Sequence, residues 1–358
     1  MTDSIAIVST GSYLPARTVP NAVLARSLGI DEEWIVAKTG IRERRVADST
    51  EATSDLASKA GERALAAAGL DPVDLDLIVV ATSSPDWIQP ATACAVQANL
   101  SARNAPAYDV AAVCTGFLYA LGTTTAAMQG DRQFRNALVV AAEVYSRILD
   151  YSDKKTCVLF GDGAGAVVLR RVADGYGIRS FRLGADGTKR DLVQIPAGGS
   201  RMPPSPQSLA DRHHFFRMDG RSVREYVREA FPLALSAVLA PAGLRQTDID
   251  LLIPHQANSV LLKECLESLE LPLSKVHFTI ERYGNTAAAS VPITLDDAVR
   301  RGRIQRGDHV LLLAFGGGMT WGSALIRWQL ARSSNAKRGA RQCRSLPKSN
   351  PSLATTSS

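Results

Sequence analysis

Three residues in this chain have side chains that together suit acyl chemistry: Cys114, His255 and Asn285. Cys114 lies in Asp109-Val110-Ala111-Ala112-Val113-Cys114-Thr115-Gly116-Phe117-Leu118-Tyr119-Ala120-Leu121. Phe117, Leu118 and Leu121 recur at helical spacing, which predicts a buried helix with the cysteine near its start. Unpaired N–H groups and the positive end of a helix dipole favour a thiolate there. The small neighbours Ala111, Ala112 and Gly116 leave room for a substrate to reach the sulfur. A cysteine in so apolar a stretch also reads as an inert buried residue.

A thiolate in a dry pocket attacks a thioester and holds the acyl group. A neutral imidazole N–H beside an asparagine amide then donates two hydrogen bonds to a carbonyl oxygen that becomes negative, and losing one such donor typically costs ~10²–10³ in rate. Decarboxylation creates that charge without a strong base, so the set suits decarboxylative carbon–carbon bond formation. The same three residues also suit papain-like hydrolysis, in which the asparagine orients the histidine. Sequence alone leaves the two open, and taken singly His255 reads as a core histidine and Asn285 as a turn residue.

The elements that must position these residues follow an internal duplication. Residues 5–10 read as a first strand, with a turn at Gly11 and Pro15. Thr53 to Ala68 has helical periodicity, and a buried strand follows at Leu75–Val80. Cys157–Phe160 and Ala166–Leu169 read as two strands around the glycine-rich turn Gly161–Gly165. In the second half, Gly69-Leu70 and Asp74-Leu75-Asp76-Leu77-Ile78 recur without a gap as Gly243-Leu244 and Asp248-Ile249-Asp250-Leu251-Leu252. Each match follows a long helix (Ser54–Ala68; Val223–Leu239), and Ala137–Ala142 finds its partner in Val310–Ala314. Two matches in one order point to two α/β units about a pseudo-twofold axis. His255 then follows a strand of the second unit, where catalytic groups of α/β sheets gather. Asn285 enters the small-residue helix that is the counterpart of the one headed by Cys114. The units span residues 1–175 and 176–330, and Pro196–Arg212 reads as a surface loop.

Composition excludes several classes. The apolar fraction of 46% is that of an ordinary globular protein, and no apolar run approaches the length of a membrane span. No signal peptide is expected from the opening residues, and five scattered cysteines without a CxxC pair fit a reducing, cytoplasmic setting. The net charge of +6 comes from residues 331–358, which hold six of the 41 Lys and Arg and no acid. The body therefore balances 35 basic against 35 acidic residues, which gives no case for nucleic-acid binding. The tail is too polar to bury a core and is expected to be disordered. Gly161–Gly165 has GxGxG spacing and reads as a structural turn rather than a nucleotide loop. Cys94, Cys157 and Cys265 are expected to be buried spectators, His213 and His214 solvated, His277 and His309 structural. No metal site is expected.

With these motifs in order, the chain resembles the β-ketoacyl-acyl-carrier-protein synthase III family of the thiolase-like superfamily. The resemblance runs from about Gly11 to Arg327. It rests on Trp34–Arg44, the Cys114 stretch, Phe160–Gly165, Pro254–Asn258, Gly284-Asn285-Thr286 and Phe315–Gly322. It implies an α/β thiolase-like fold with a duplicated five-layered αβαβα core, and a homodimer. It also implies an enzyme that loads an acyl group from acyl-coenzyme A onto Cys114 and condenses it with a malonyl thioester, usually on acyl carrier protein, with loss of CO₂. The product is a β-ketoacyl thioester for fatty-acid initiation or a secondary-metabolite starter. No cofactor is implied beyond the coenzyme A thioester.

By the same resemblance, His255 and Asn285 stabilise the enolate, and the backbone N–H groups of Cys114 and Gly317 form the acyl oxyanion hole. Trp34, Lys38, Lys154 and Asn258 contact coenzyme A and its pantetheine arm, with Lys154 and Lys38 at positions that are usually arginine. Gln89, in a segment that supplies acyl-pocket residues across the dimer, Arg224, near the tunnel mouth, and Phe315 fall at the acyl pocket or tunnel. Ala314 stands where a biosynthetic thiolase has a second cysteine. The helix after His255 has Val260, Glu267 and Ser268 where the family commonly has basic residues that dock the carrier protein, leaving Lys263; this points to a specialised member. An acyltransferase of the same fold, passing the acyl group to an oxygen or nitrogen acceptor, is the alternative. A third reading is a dimerising partner of an active homologue.

Overall fold

The structure is a computed structural model that describes residues 4–172 and 175–330. The expected C-terminal tail lies outside the described residues.

Two sheets carry the molecule, one from each half. In the first, strand Ser4–Tyr13 pairs with Gly163–Val172, then come Asn136–Glu143, Leu77–Ala81 and, at the edge, Ala107–Val110. In the second, Gly177–Ala185, Thr320–Arg327, His309–Gly316 and Leu251–Pro254 follow in the corresponding order. The fifth place holds only an isolated bridge between Leu252 and Val276. Leu77 lies opposite Ala137 in one sheet and Leu251 opposite Val310 in the other, both in parallel pairs. The segments that match in sequence thus occupy equivalent places. The chain changes sheet between Val172 and Gly177.

Both faces of each sheet are covered, so the central strands are apolar without interruption. Between the sheets lie helices Gly116–Gly130 and Ser290–Arg300. Their Phe117, Leu121, Val291 and Leu295 pack with Val79 and Val139 of one sheet and Ile253 and Leu312 of the other. The alternate residues Ile78, Val80, Leu138 and Val140 turn outward onto Leu56 and Leu65 of helix Thr53–Ala68 and Val96 of helix Thr92–Leu100. The outer face of the second sheet is covered by Phe231 and Leu235 of helix Gly220–Leu239 and by Leu262 and Leu266 of helix Ser259–Ser268. The result is five layers, αβαβα.

Some local expectations change. Gly11 makes no turn: the first strand runs through it to Tyr13, because a Cβ there would come within 2.5 Å of the Ala64 backbone. Gly163 and Gly165 lie inside a strand rather than in a turn. A Cβ on Gly165 would meet Ile293 N at 2.7 Å, so the glycine lets helix Ser290–Arg300 approach the sheet. Cys157–Phe160 forms no strand apart from a single bridge from Phe160 to Asn285. The loop 196–212 contains the short helix Pro206–Ala210, capped by Ser205. Cys94 is exposed, since its helix buries Thr92, Ala93 and Val96 instead, whereas Cys157 and Cys265 are buried. His277 is buried on Asp297, with Nε2 at 2.7 Å from Oδ2. Among the described residues, no helix is long and apolar enough to cross a membrane.

Candidate active site

Cys114 occupies the middle of a single tight turn, Val113–Thr115, immediately ahead of helix Gly116–Gly130. Val113 enters that turn at φ 46°, in the left-handed region that a β-branched residue rarely adopts. Surrounding contacts hold it there. Thr115 Oγ1 donates to Ala112 O at 2.6 Å and lies 2.7 Å from Thr320 Oγ1. Across the turn, a Cβ on Gly316 would fall 2.9 Å from Cys114 N, so only glycine lets the second sheet approach the nucleophile's backbone.

The thiol is half-buried, and its ionisation runs against the expectation from sequence. Burial pushes its pKa well above the usual thiol value, and the nearby Glu143 carboxylate pushes the same way. Both influences favour the protonated thiol over the thiolate. Glu143 itself is fully buried at the end of strand Asn136–Glu143. It accepts hydrogen bonds from Ser83 Oγ at 2.9 Å and Ser84 Oγ at 2.6 Å. Burial raises its pKa to about 7 against the opposing pull of these donors.

His255 follows strand Leu251–Pro254, and its N–H donates to Leu313 O at 2.7 Å, a continuation of the parallel pairing. The imidazole is buried, and desolvation lowers its pKa to about 3, so the ring is neutral with one N–H to offer. Its Nδ1 lies 2.6 Å from Ser290 Oγ. Asn285 follows Gly284, whose φ of 65° turns the chain inward. The Asn285 backbone is strapped on both sides, N to Leu159 O at 2.9 Å and O from Gly161 N at 3.0 Å. Its Oδ1 accepts from Ala287 N at 2.8 Å, and among the described residues its Nδ2 has no acceptor.

Cys114, His255 and Asn285 line one apolar chamber, with Phe315, Gly316 and Gly317 on its wall. Two of the structure's apolar clusters meet there: Phe160, Phe216 and Val193 pack near Cys114, and Phe231, Leu262 and Leu313 lie on the histidine side. A polar outer cleft adjoins it, lined by Trp34, Lys38, Lys154, Lys155 and Arg224. The two share Val223, Ala257, Asn258 and Asn285, so the cleft leads from solvent to the chamber. Lys154 Nζ stands 5.8 Å from the Trp34 ring centroid, placed for cation–π contact.

Three expected site residues have placements that bear on their roles. Asn258 lines both cavities but is first a helix cap: its Oδ1 accepts from Val260 N and Leu261 N, and its Nδ2 donates to Lys38 O. One amide hydrogen remains for a ligand. Arg224 lines the outer cleft rather than the chamber and pairs with Glu264 across to helix Ser259–Ser268. Gln89 is exposed and lines neither cavity within this chain. Neither Ser290 nor Glu143 stands out in the sequence: Ser290 lies five residues past Asn285 after a run of alanines, and Glu143 ends an otherwise apolar strand run. Among the described residues, no group of three or more His, Cys, Asp or Glu is placed to hold a metal.

Comparison with known proteins finds relatives over most of the chain. Residues 108–187 match the family profile described as 3-oxoacyl-[acyl-carrier-protein (ACP)] synthase III, and residues 239–328 match its C-terminal profile. The chain is 48% identical over 322 residues to the beta-ketoacyl-[acyl-carrier-protein] synthase III of Caldanaerobacter subterraneus, covering 90% of this chain and 97% of the relative. It is also 48% identical over 326 residues to the acetoacetyl CoA synthase NphT7 of Streptomyces sp. strain CL190, covering 90% and 98%. Among solved structures, it superposes with TM-score 0.84 on the 3-oxoacyl-[acyl-carrier-protein] synthase III of Aquifex aeolicus, at 39% identity over 91% of this chain and all of that one. The priming β-ketosynthase of the R1128 polyketide pathway superposes with TM-score 0.83 at 33% identity, covering 90% and 96%.

Proposed function

The chain belongs to the 3-oxoacyl-[acyl-carrier-protein] synthase III family, and from that premise we propose that it is a decarboxylative condensing enzyme working through Cys114, His255 and Asn285. The observation that carries the reading is the single chamber shared by a thiol and two fixed hydrogen-bond donors. In the first half-reaction, the Cys114 sulfur attacks the carbonyl of an acyl-coenzyme A. The coenzyme thiolate leaves and takes up the proton the cysteine gives up. The acyl oxyanion is held by the backbone N–H groups of Cys114 and Gly317.

In the second half-reaction, a malonyl thioester loses CO₂. The electron pair passes to the thioester enolate, whose oxygen is held by the imidazole N–H of His255 and Nδ2 of Asn285. The α-carbon attacks the acyl-cysteine, the Cys114–acyl bond breaks, and the thiolate takes a proton from solvent. The raised thiol pKa suits that closing step, because it favours return of the proton to the sulfur. A buried imidazole with pKa about 3 is a poor general base, which argues against simple acyl transfer to an oxygen or nitrogen acceptor. The scheme calls on no cofactor beyond the coenzyme A thioester.

The malonyl group, in this reading, arrives on coenzyme A rather than on an acidic carrier protein. Helix Ser259–Ser268 beside the entrance offers Lys263 against Glu264 and Glu267. The cleft instead gathers Lys38, Lys154, Lys155 and Arg224, which match the phosphates of a free coenzyme. A relative named acetoacetyl CoA synthase agrees with that choice. The working unit is a homodimer joined along edge strand Ala107–Val110, and the loop after strand Leu77–Ala81 leaves Trp87 and Ile88 57% and 85% exposed. Gln89 then reaches the partner's acyl pocket. The test compares kcat/KM for malonyl-coenzyme A with that for malonyl-carrier protein, using acyl-loaded enzyme: preference for coenzyme A is expected, and strong preference for the carrier would refute this assignment.

A further inference from the structure

We propose that Ser290 is a positioning residue that keeps the single imidazole hydrogen of His255 on Nε2, facing the chamber. The proposal rests on the decarboxylative reading, which needs a donor at that nitrogen. With the hydrogen on Nδ1, Nε2 would present a lone pair to the enolate oxygen, and one of the two donors would be lost.

The argument is an accounting of hydrogens. A serine hydroxyl has one hydrogen to donate and two lone pairs to accept with. Ser290 is 1% exposed, so water does not complete its bonding. Its oxygen accepts from Gln256 N–H at 3.3 Å. Among the described residues, its one other recorded side-chain partner is His255 Nδ1, at 2.6 Å. If Nδ1 carried the hydrogen, the serine hydrogen would be left buried with no acceptor, which is penalised. If Ser290 donates to a bare Nδ1, all three groups are satisfied. The hydrogen of the neutral ring is then on Nε2.

The neighbouring structure allows little adjustment. Ser290 is the first residue of helix Ser290–Arg300, and the same helix is tied one turn on by Thr294 Oγ1 at 2.6 Å from Thr279 Oγ1 and further on by Asp297 to His277. On the other side, Gln256 Nε2 donates to Pro254 O at 2.8 Å and its Oε1 accepts from Thr279 N at 3.0 Å. The positive end of the helix also disfavours a second ring hydrogen at Nδ1. In the first half, the matching helix begins with Gly116, which has no side chain to do this.

The experiment uses the full chain with ¹⁵N-labelled histidine and compares wild type, Ser290→Ala and Ser290→Thr. Long-range ¹H–¹⁵N spectra assign the protonated nitrogen of His255. Stopped assays follow malonyl-coenzyme A decarboxylation and Cys114 acylation separately. The wild type is expected to carry its hydrogen on Nε2. Ser290→Ala is expected to shift the signal toward Nδ1 and to lower kcat of decarboxylation ~10²-fold, as for a lost oxyanion donor. Its KM and Cys114 acylation should stay within about 3-fold, since uniform binding is untouched. Ser290→Thr should restore the Nε2 signal. A wild-type hydrogen on Nδ1, or an alanine variant with unchanged kcat, would overturn the proposal. If the alanine variant fails to fold, the wild-type and threonine spectra decide. A wild type that does not decarboxylate malonyl-coenzyme A would defeat the functional reading, while the spectrum would still report on Ser290.

Discussion

The two halves of the molecule build the same turn and use it differently. In the first, Val113 at φ 46° opens the turn Val113–Thr115 and helix Gly116–Gly130 follows. In the second, Ala287 at φ 45° opens the turn Ala287–Ala289 and helix Ser290–Arg300 follows. The matched frame sets Cys114 against Ala288, Ala111 against Asn285, Ala81 against His255 and Gly116 against Ser290. Each chemically active side chain of one half thus faces an alanine or glycine at the matching place in the other. The strand ends differ as well, one in buried Glu143 and the other in Gly316. The duplicated frame places one strained turn in each half, the first bringing Cys114 to the chamber that His255 and Asn285 of the second half also line. In the proposed reaction the halves divide the work, one holding the acyl group and the other the enolate.

That division can be broken in steps. The largest effect is expected from Cys114→Ala, which should remove the acyl mass gain seen on intact protein after incubation with acyl-coenzyme A, a loss of ~10³-fold or more in condensation. Persistence of the mass gain would place the nucleophile elsewhere. Gly316→Ala should come next. Its Cβ would press on Cys114 N at 2.9 Å and Thr115 N at 3.0 Å. We expect a cost of ~1–3 kcal/mol in denaturant melts and up to ~10²-fold slower acylation from displacement of the sulfur. Normal acylation would show that the turn yields more than its contacts suggest.

Glu143→Gln gives a smaller, pH-dependent effect. The carboxyl is raised from 4.5 to about 7 by burial. Between those values, the folded chain holds a proton that the unfolded chain has released. Its contribution to stability is therefore full below the unfolded value and is lost as pH rises through about 7. Asp150 and Asp297, held down to about 2 by their arginine and histidine contacts, act below this window. Thermal melts should show wild-type Tm declining from pH 5 to pH 8 relative to the glutamine variant. The same change removes a charge that pushes the Cys114 thiol up, so alkylation at pH 8 should quicken a few-fold. A flat difference in Tm would contradict the raised carboxyl. The smallest effect is expected from Ala288→Cys in the Cys114→Ala background. Ala288 is fully buried and does not line the chamber, so the new thiol should gain no acyl mass. Acylation there would mean the two turns are interchangeable.

Much of this architecture was legible in the residues. The gap-free match of Gly69–Ile78 to Gly243–Leu252 located equivalent strands, because burial on both faces demands the same apolar run in each. Cys114, His255 and Asn285 could be singled out since each interrupts a small or apolar stretch near a strand or helix end. Less visible was what acts through space. The thiol's raised pKa depends first on burial and then on Glu143, 29 positions along the sequence at the end of a strand. The Ser290 contact depends on how a helix start meets a strand end. Gly11 and Gly165 looked like turns because a glycine needed for close packing inside a strand leaves the same mark in a sequence.

The central claim is the separation of the two half-reactions, and one crossed measurement tests it directly. Acylation of the cysteine by acyl-coenzyme A and release of CO₂ from malonyl-coenzyme A are followed in parallel for Cys114→Ala, His255→Ala and Asn285→Ala. The account predicts that the first variant loses acylation but still decarboxylates, while the other two acylate normally and lose ~10²–10³ in CO₂ release. Loss of both activities together in every variant would contradict it.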